Sequence, residues 1–127
     1  MKLRLFDSSL RLRLTPAEVT QLADCGLVSG ETSFSAASSL HYRLRTNSSA
    51  TSVVASFDST TVTVDIPIAL ASAWTKGSEV GLSVTQEIGH SGKLKILIEK
   101  DFDCIDSSKN EPGIEFYPNP RYPKTSP

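Results

Sequence analysis

Leucines fall at every second position within two runs of the opening fourteen residues: Leu3 and Leu5 alternate with Lys2 and Arg4, and Leu10, Leu12 and Leu14 alternate with Arg11 and Arg13. A period of two sends one set of side chains to a buried face and the other to water, the signature of half-buried strands. Asp7-Ser8-Ser9 between the two runs is a string of turn formers, so the segment predicts an antiparallel hairpin. The same alternation returns at Leu40, Tyr42 and Leu44, at Val53 to Phe57, at Val62, Val64 and Ile66, at Val80, Leu82 and Val84, and at Leu94, Ile96 and Ile98. With 127 residues there is room for one hydrophobic core, and the expected boundaries are a single domain over 1–106 and a Pro-rich, partly ordered tail over 107–127. Ser and Thr dominate the stretch before Leu40, where no alternation is visible.

Two short helices interrupt the strands. Thr15-Pro16-Ala17-Glu18 combines a capping hydroxyl, a proline suited to the first helical position and a glutamate able to reach back to the cap. Leu14 and Val19 have the spacing of a hydrophobic staple, Gly26 supplies a left-handed stop, and Val19, Leu22 and Ala23 form the expected buried stripe. A second helix is predicted over Ile68 to Lys76, with Leu70, Ala73 and Trp74 inward and Gly77 as its stop. At an offset of 51, Phe6-Asp7-Ser8 meets Phe57-Asp58-Ser59, Pro16 meets Pro67, Gly26 meets Gly77 and Gly30 meets Gly81. Both halves then read strand, strand, helix, strand, strand, although the second strand needs a one-residue shift to align its apolar face. The predicted fold class is α+β: a mostly antiparallel sheet of about eight strands built from two ββαββ units, with the helices on its apolar face. Two helices of about 15 Å each cannot cover so wide an open sheet, so curling into a barrel, the tail or a homodimer is expected to complete the shielding.

Composition and targeting signals narrow the function. Net charge is -1, with 13 basic and 14 acidic residues, which gives no support to nucleic-acid binding. No apolar run is long enough to span a membrane, and no membrane partner is expected. The opening Met1-Lys2-Leu3-Arg4 carries charge where a secretory signal would be apolar, so the expected location is cytoplasmic, with Cys25 and Cys104 reduced.

One pattern stands above background: Lys2 and Arg4, Arg11 and Arg13, Arg43 and Arg45, and Lys93 and Lys95 are i, i+2 pairs on predicted strands. Each pair leaves the face opposite the aliphatic one, where basic side chains are also ordinary residents of a solvated sheet. Guanidinium groups offer forked donors that match phosphate and carboxylate oxygens, so convergence of Arg11, Arg13, Arg43 and Arg45 would make a site for a small phosphate-containing ligand. A rival reading, a metal-dependent phosphohydrolase, needs two carboxylates within metal-bridging reach of the basic row, with Glu87 and Glu99 as the candidates. A third is a protein-interaction domain that uses the apolar tail and a sheet edge.

Other motifs carry less. Glu99, Asp101, Asp103 and Asp106 lack the central glycine and distal glutamate of a calcium loop, and His41 and His90 have no ligand partners at zinc spacing. Gly89-His90-Ser91-Gly92 lacks the order of a nucleophile elbow, and acidic neighbours around Cys104 disfavour a thiolate. No cofactor is specified.

Taken together, Met1-Lys2-Leu3-Arg4, Ser9-Leu10-Arg11-Leu12-Arg13-Leu14-Thr15, Ile96-Leu97-Ile98-Glu99-Lys100-Asp101-Phe102 with Cys104, and Pro118-Asn119-Pro120 resemble a family of small bacterial proteins that form a domain of unknown function. The resemblance runs from Met1 to about Pro120 and implies no activity, ligand or catalytic residue. A looser architectural likeness is to the triphosphate tunnel, or CYTH-like, fold, an eight-stranded barrel with a basic polar tunnel. That family's Glu-x-Glu-x-Lys on the first strand is absent here, where the chain reads Lys2-Leu3-Arg4-Leu5.

Overall fold

In the computed structural model, residues 1–101 are described. Eight strands and two helices follow in the order β1 (Lys2–Phe6), β2 (Ser9–Leu14), α1 (Pro16–Cys25), β3 (Leu27–Ser35), β4 (Ser38–Asn47), β5 (Val54–Asp58), β6 (Thr61–Pro67), α2 (Ile68–Lys76), β7 (Gly81–Ile88) and β8 (Gly92–Lys100). The fold class is α+β, as the alternation and the two helix signals predict. The single wide sheet is not found. The strands form two four-stranded sheets, ordered β1-β2-β8-β7 and β3-β4-β6-β5, and they do not close into a barrel.

Each sheet joins two hairpins side by side. The hairpin strands run antiparallel, but where the hairpins meet, β2 lies parallel to β8 and β4 parallel to β6, so both sheets are mixed rather than antiparallel throughout. Those four central strands supply most of one shared core, including Leu10, Leu12, Leu14, Ile96 and Ile98 from the first sheet and Leu44, Val62, Val64 and Ile66 from the second. Facing sheets bury each other's apolar sides, which is why two small helices suffice.

The helices close one end of the sheet pair instead of lying across a face; they pack on each other and on β2, β3, β4 and β6. The predicted cap of α1 is present: the Thr15 hydroxyl accepts from the Glu18 amide, Glu18 accepts from the Thr15 amide, and Gly26 ends the helix at a φ of 75°. Burial would raise the Glu18 carboxyl, but its contacts with the Met1 ammonium and with Thr15 together outweigh this and hold it below the usual range. Of the predicted stripe only Leu22 is buried, Val19 is half-buried and Ala23 is exposed. On α2, Ala71 and Trp74 face inward while Ala73 is exposed, so the inward face there is rotated from the expected one. Lys100 caps the Trp74 ring, its Nζ 5.3 Å from the centroid, and also donates to the Gly77 carbonyl.

The two ββαββ units are related by topology, but not at the offset of 51. Strand register requires 52 for β1 and β2, so that Leu10, Leu12 and Leu14 correspond to Val62, Val64 and Ile66, all buried. For the third and fourth strands it requires 54: Leu44 pairs with Val64 as Ile98 pairs with Leu12. The extra residues fall in the connection from α2 to β7. The Gly30–Gly81 and Phe6–Phe57 matches at 51 are therefore coincidences of turn composition.

Candidate functional site

Six of the eight basic residues singled out by the alternation share one surface. Lys2 and Arg4 on β1, Arg11 and Arg13 on β2, and Lys93 and Lys95 on β8 all project from the outer face of the first sheet. Arg43 and Arg45 on β4 belong to the other sheet, whose outer face points away from it. The expected convergence of Arg11, Arg13, Arg43 and Arg45 does not occur, because β2 and β4 lie in different sheets and turn Leu12 and Leu44 into the shared core, which leaves their arginines on opposite outer surfaces.

Arg43 and Arg45 are each committed within their own sheet. Arg43 Nε donates to the hydroxyl of buried Thr63 at 2.9 Å, and Arg45 Nε meets Asp65 Oδ1 at 2.5 Å. The hydrogen bond and charge of Asp65 raise the Arg45 pKa further. Thr63 and Asp65 therefore serve as in-sheet partners, while Thr61 stands beside His41 in register.

The first sheet is less balanced. Register sets Lys2 opposite Arg13 and Arg4 opposite Arg11, two like-charge pairs on adjacent strands. Such facing cations destabilise a sheet unless something negative lies between them. Glu99 lies 3.6 Å from both Arg11 Nε and Arg13 Nε, and Asp101 lies 3.8 Å from Arg13 and 3.4 Å from Lys2. Lys93 pairs with Glu87 at 3.1 Å. Arg4 has no ion pair among the described residues. Beside it, Arg4, Leu5, Phe6, Ser9, Arg11 and Leu97 line a surface depression of about 380 Å³. Ser9 holds its hydroxyl on the Phe6 carbonyl at 2.8 Å, and Lys95 stands next to Ser9 in register.

The two candidate metal carboxylates are not brought together. Glu87 is opposite Lys93 and Glu99 opposite Gly81, six residues further along β8, a separation of about 20 Å at strand rise. Paired catalytic metals need ligands around ions only about 4 Å apart. Among the described residues no group of three His, Cys, Asp or Glu side chains is placed to hold a metal. His41 sits on the outer face of the second sheet, 3.6 Å from Glu31. His90 falls in the β7–β8 turn, and Cys25 is exposed and free. Cys104, Asp103, Asp106 and the apolar tail lie outside the described residues, as does part of the expected domain boundary. No helix among the described residues is long and apolar enough to cross a membrane.

A second cavity escaped the sequence altogether. At the hairpin end, opposite the helices, about 390 Å³ opens between the two sheets. Leu5, Leu10, Leu40, Ala55, Phe57 and Val62 are among its lining residues, with Ile88 and Leu94 contributed by β7 and β8. The only polar side chains in that lining are those of Ser56 and Gln86. Gln86 is occupied: its amide accepts from Ala55 N at 2.7 Å and donates to Ala55 O at 3.0 Å, linking edge strand β7 to edge strand β5. Alternation gave each strand an inner and an outer face, but not the gap that remains when two inner faces diverge.

These features define an α+β protein with one cationic sheet face and an apolar opening between its sheets. The chain belongs to the family of unknown function DUF7009, whose model matches residues 1–121 of the 127. Comparison with curated proteins and with solved structures gave no match.

Proposed function

We propose that this protein binds a small anionic ligand, carrying a phosphate or carboxylate group, on the outer face of the first sheet, with Arg4 and Arg11 as its forked donors. The observation that carries the reading is the placement of Arg4 directly across from Arg11, with Leu97 rather than an acid or hydroxyl next in the row. An arrangement that costs stability when empty is relieved by an anion shared between the two guanidinium groups. Lys95 extends the donor set, Glu99 lies 3.6 Å from both Arg11 and Arg13, and Arg13 and Lys2, drawn towards Asp101, frame the site. The wide separation of Glu87 and Glu99 favours binding without metal-assisted hydrolysis. Arg43 and Arg45 take no part.

The test is thermal unfolding at low ionic strength with pyrophosphate and triphosphate, each with and without magnesium. An anion present at about 100 times its dissociation constant raises the unfolding free energy by about 2.7 kcal/mol. That stabilisation is expected to vanish in Arg4→Ala/Arg11→Ala, to persist in Arg43→Ala and to be independent of magnesium. A shift that survives the double substitution, or no shift with either anion, overturns the reading.

A further inference from the structure

The cationic depression and the apolar cavity meet at Leu5, which lines both. Arg4 and Leu5 are consecutive on β1, so one side chain faces the outer surface and the next faces the space between the sheets. β1 is an edge strand, paired with β2 alone among the described residues. A ligand can therefore pass over its free side from one recess into the other without displacing a strand.

The chemistry of the two recesses differs sharply. The outer one offers the guanidinium groups of Arg4 and Arg11. The inner one is aliphatic and aromatic, its Gln86 amide already committed to Ala55 and therefore not offered to a ligand. Ser56, on the outward-facing row of β5, is the one other polar side chain in the lining, and the volume is in the range of pre-formed ligand pockets. The rim is exposed as well, with Leu5 at 59%, Phe57 at 66% and Ile88 at 45%. Large apolar groups left open around an apolar recess mark an interaction site.

We infer that the ligand is a monomeric anionic amphiphile, with its phosphate or carboxylate head on Arg4 and Arg11 and its alkyl chain in the cavity between the sheets. The inference rests on the anion reading above and adds the class of molecule that carries the anion. Affinity then has two separable parts, one set by charge and one by chain length.

Calorimetric titration of octanoate, nonanoate and decanoate, each below its critical micelle concentration, separates them. Each added methylene is expected to tighten binding about fourfold, equivalent to about 0.8 kcal/mol. Decanol is expected to bind at least tenfold more weakly than decanoate, and Arg4→Ala/Arg11→Ala to erase that difference. Ile88→Ser, at the exposed rim, is expected to weaken decanoate more than octanoate. Its melting temperature checks that the variant remains folded. Binding that is independent of chain length overturns the amphiphile, while leaving the anion reading intact if pyrophosphate still binds at Arg4 and Arg11. Chain-length dependence with no preference for acid over alcohol overturns both. Binding only to vesicles of anionic phospholipid, with none to the monomeric acids, also overturns it in favour of a membrane surface.

Discussion

Row by row, the outer faces of the two sheets occupy equivalent backbone positions with different chemistry. Across the second sheet one row reads Ser56, Thr63, Arg43, Ser29, and the corresponding row of the first reads Arg4, Arg11, Leu97, Ser83. In the former a single guanidinium is surrounded by hydroxyls and takes one as acceptor. In the latter two guanidiniums face each other, the next position in the row holds leucine, and Arg11 has its acid, Glu99, in the neighbouring row while Arg4 has no ion pair among the described residues. The neighbouring row sharpens the contrast, because Asp65 and Arg45 in one sheet correspond to Arg13 and Glu99 in the other, an ion pair with its signs exchanged. Where the two sheets solve the same electrostatic problem, both are internally paired. Where they differ, the first sheet carries excess positive charge, the property on which the proposed anion binding rests.

The equivalence can be broken first in the core. Leu12 and Val64 are corresponding residues with no exposed surface. Leu12→Ala is expected to cost about 2–5 kcal/mol in urea unfolding, and Val64→Ala less because fewer buried atoms are lost. Equal losses would mean that the two sheets do not share the load in proportion to what they bury.

The seams between the sheets come next. Gln86 bridges β7 to β5, while the corresponding residue on β3, Thr32, has a short, exposed side chain. Gln86→Ala leaves two backbone groups of Ala55 without partners and is expected to cost about 1–3 kcal/mol, with faster hydrogen exchange at the Ala55 amide. Thr32→Ala is expected to stay within about 0.5 kcal/mol of the parent. A comparable loss at both positions would remove the asymmetry.

The smallest effect tests the charged rows. Arg4→Ser installs the hydroxyl found at the equivalent Ser56 and relieves a like-charge pair, so the melting temperature is expected to rise by about 1 °C at low salt. That gain should fade at 1 M salt, where charges are screened within about 3 Å. Arg43→Ala moves the other way, since it takes the partner from the buried Thr63 hydroxyl.

Much of this organisation is local and could be read from the chain. Alternation locates β1, β2, β6 and β8 because one buried face repeats every second residue, and Thr15-Pro16-Ala17-Glu18 fixes the start of α1 because capping uses neighbours. β3 shows no alternation for the same reason: only Val28 in Leu27–Ser35 is buried, so the internal repeat alone points to a strand there, and it is a strand through its pairing with β4. The division into two sheets depends on β2 meeting β8 and β4 meeting β6, contacts that no local pattern encodes. That division also decides the site. Alternation correctly put eight basic residues on outward faces, yet could not say that Arg43 and Arg45 belong to another surface, or that Glu87 and Glu99 stand at opposite ends of one.

The parallel pairing of β2 with β8 also has a consequence in time. Ser9 is in register with Lys95 and Leu14 with Lys100, so the first hairpin waits for nearly all of the described chain before its inner edge is covered. The second sheet, built from the consecutive hairpins β3-β4 and β5-β6, can assemble earlier during synthesis. Until β8 emerges from the ribosome, Leu10, Leu12 and Leu14 lie on a strand with one open side, the kind of edge that captures other chains. The last of the described strands to be made is thus the one that protects the nascent protein from aggregation.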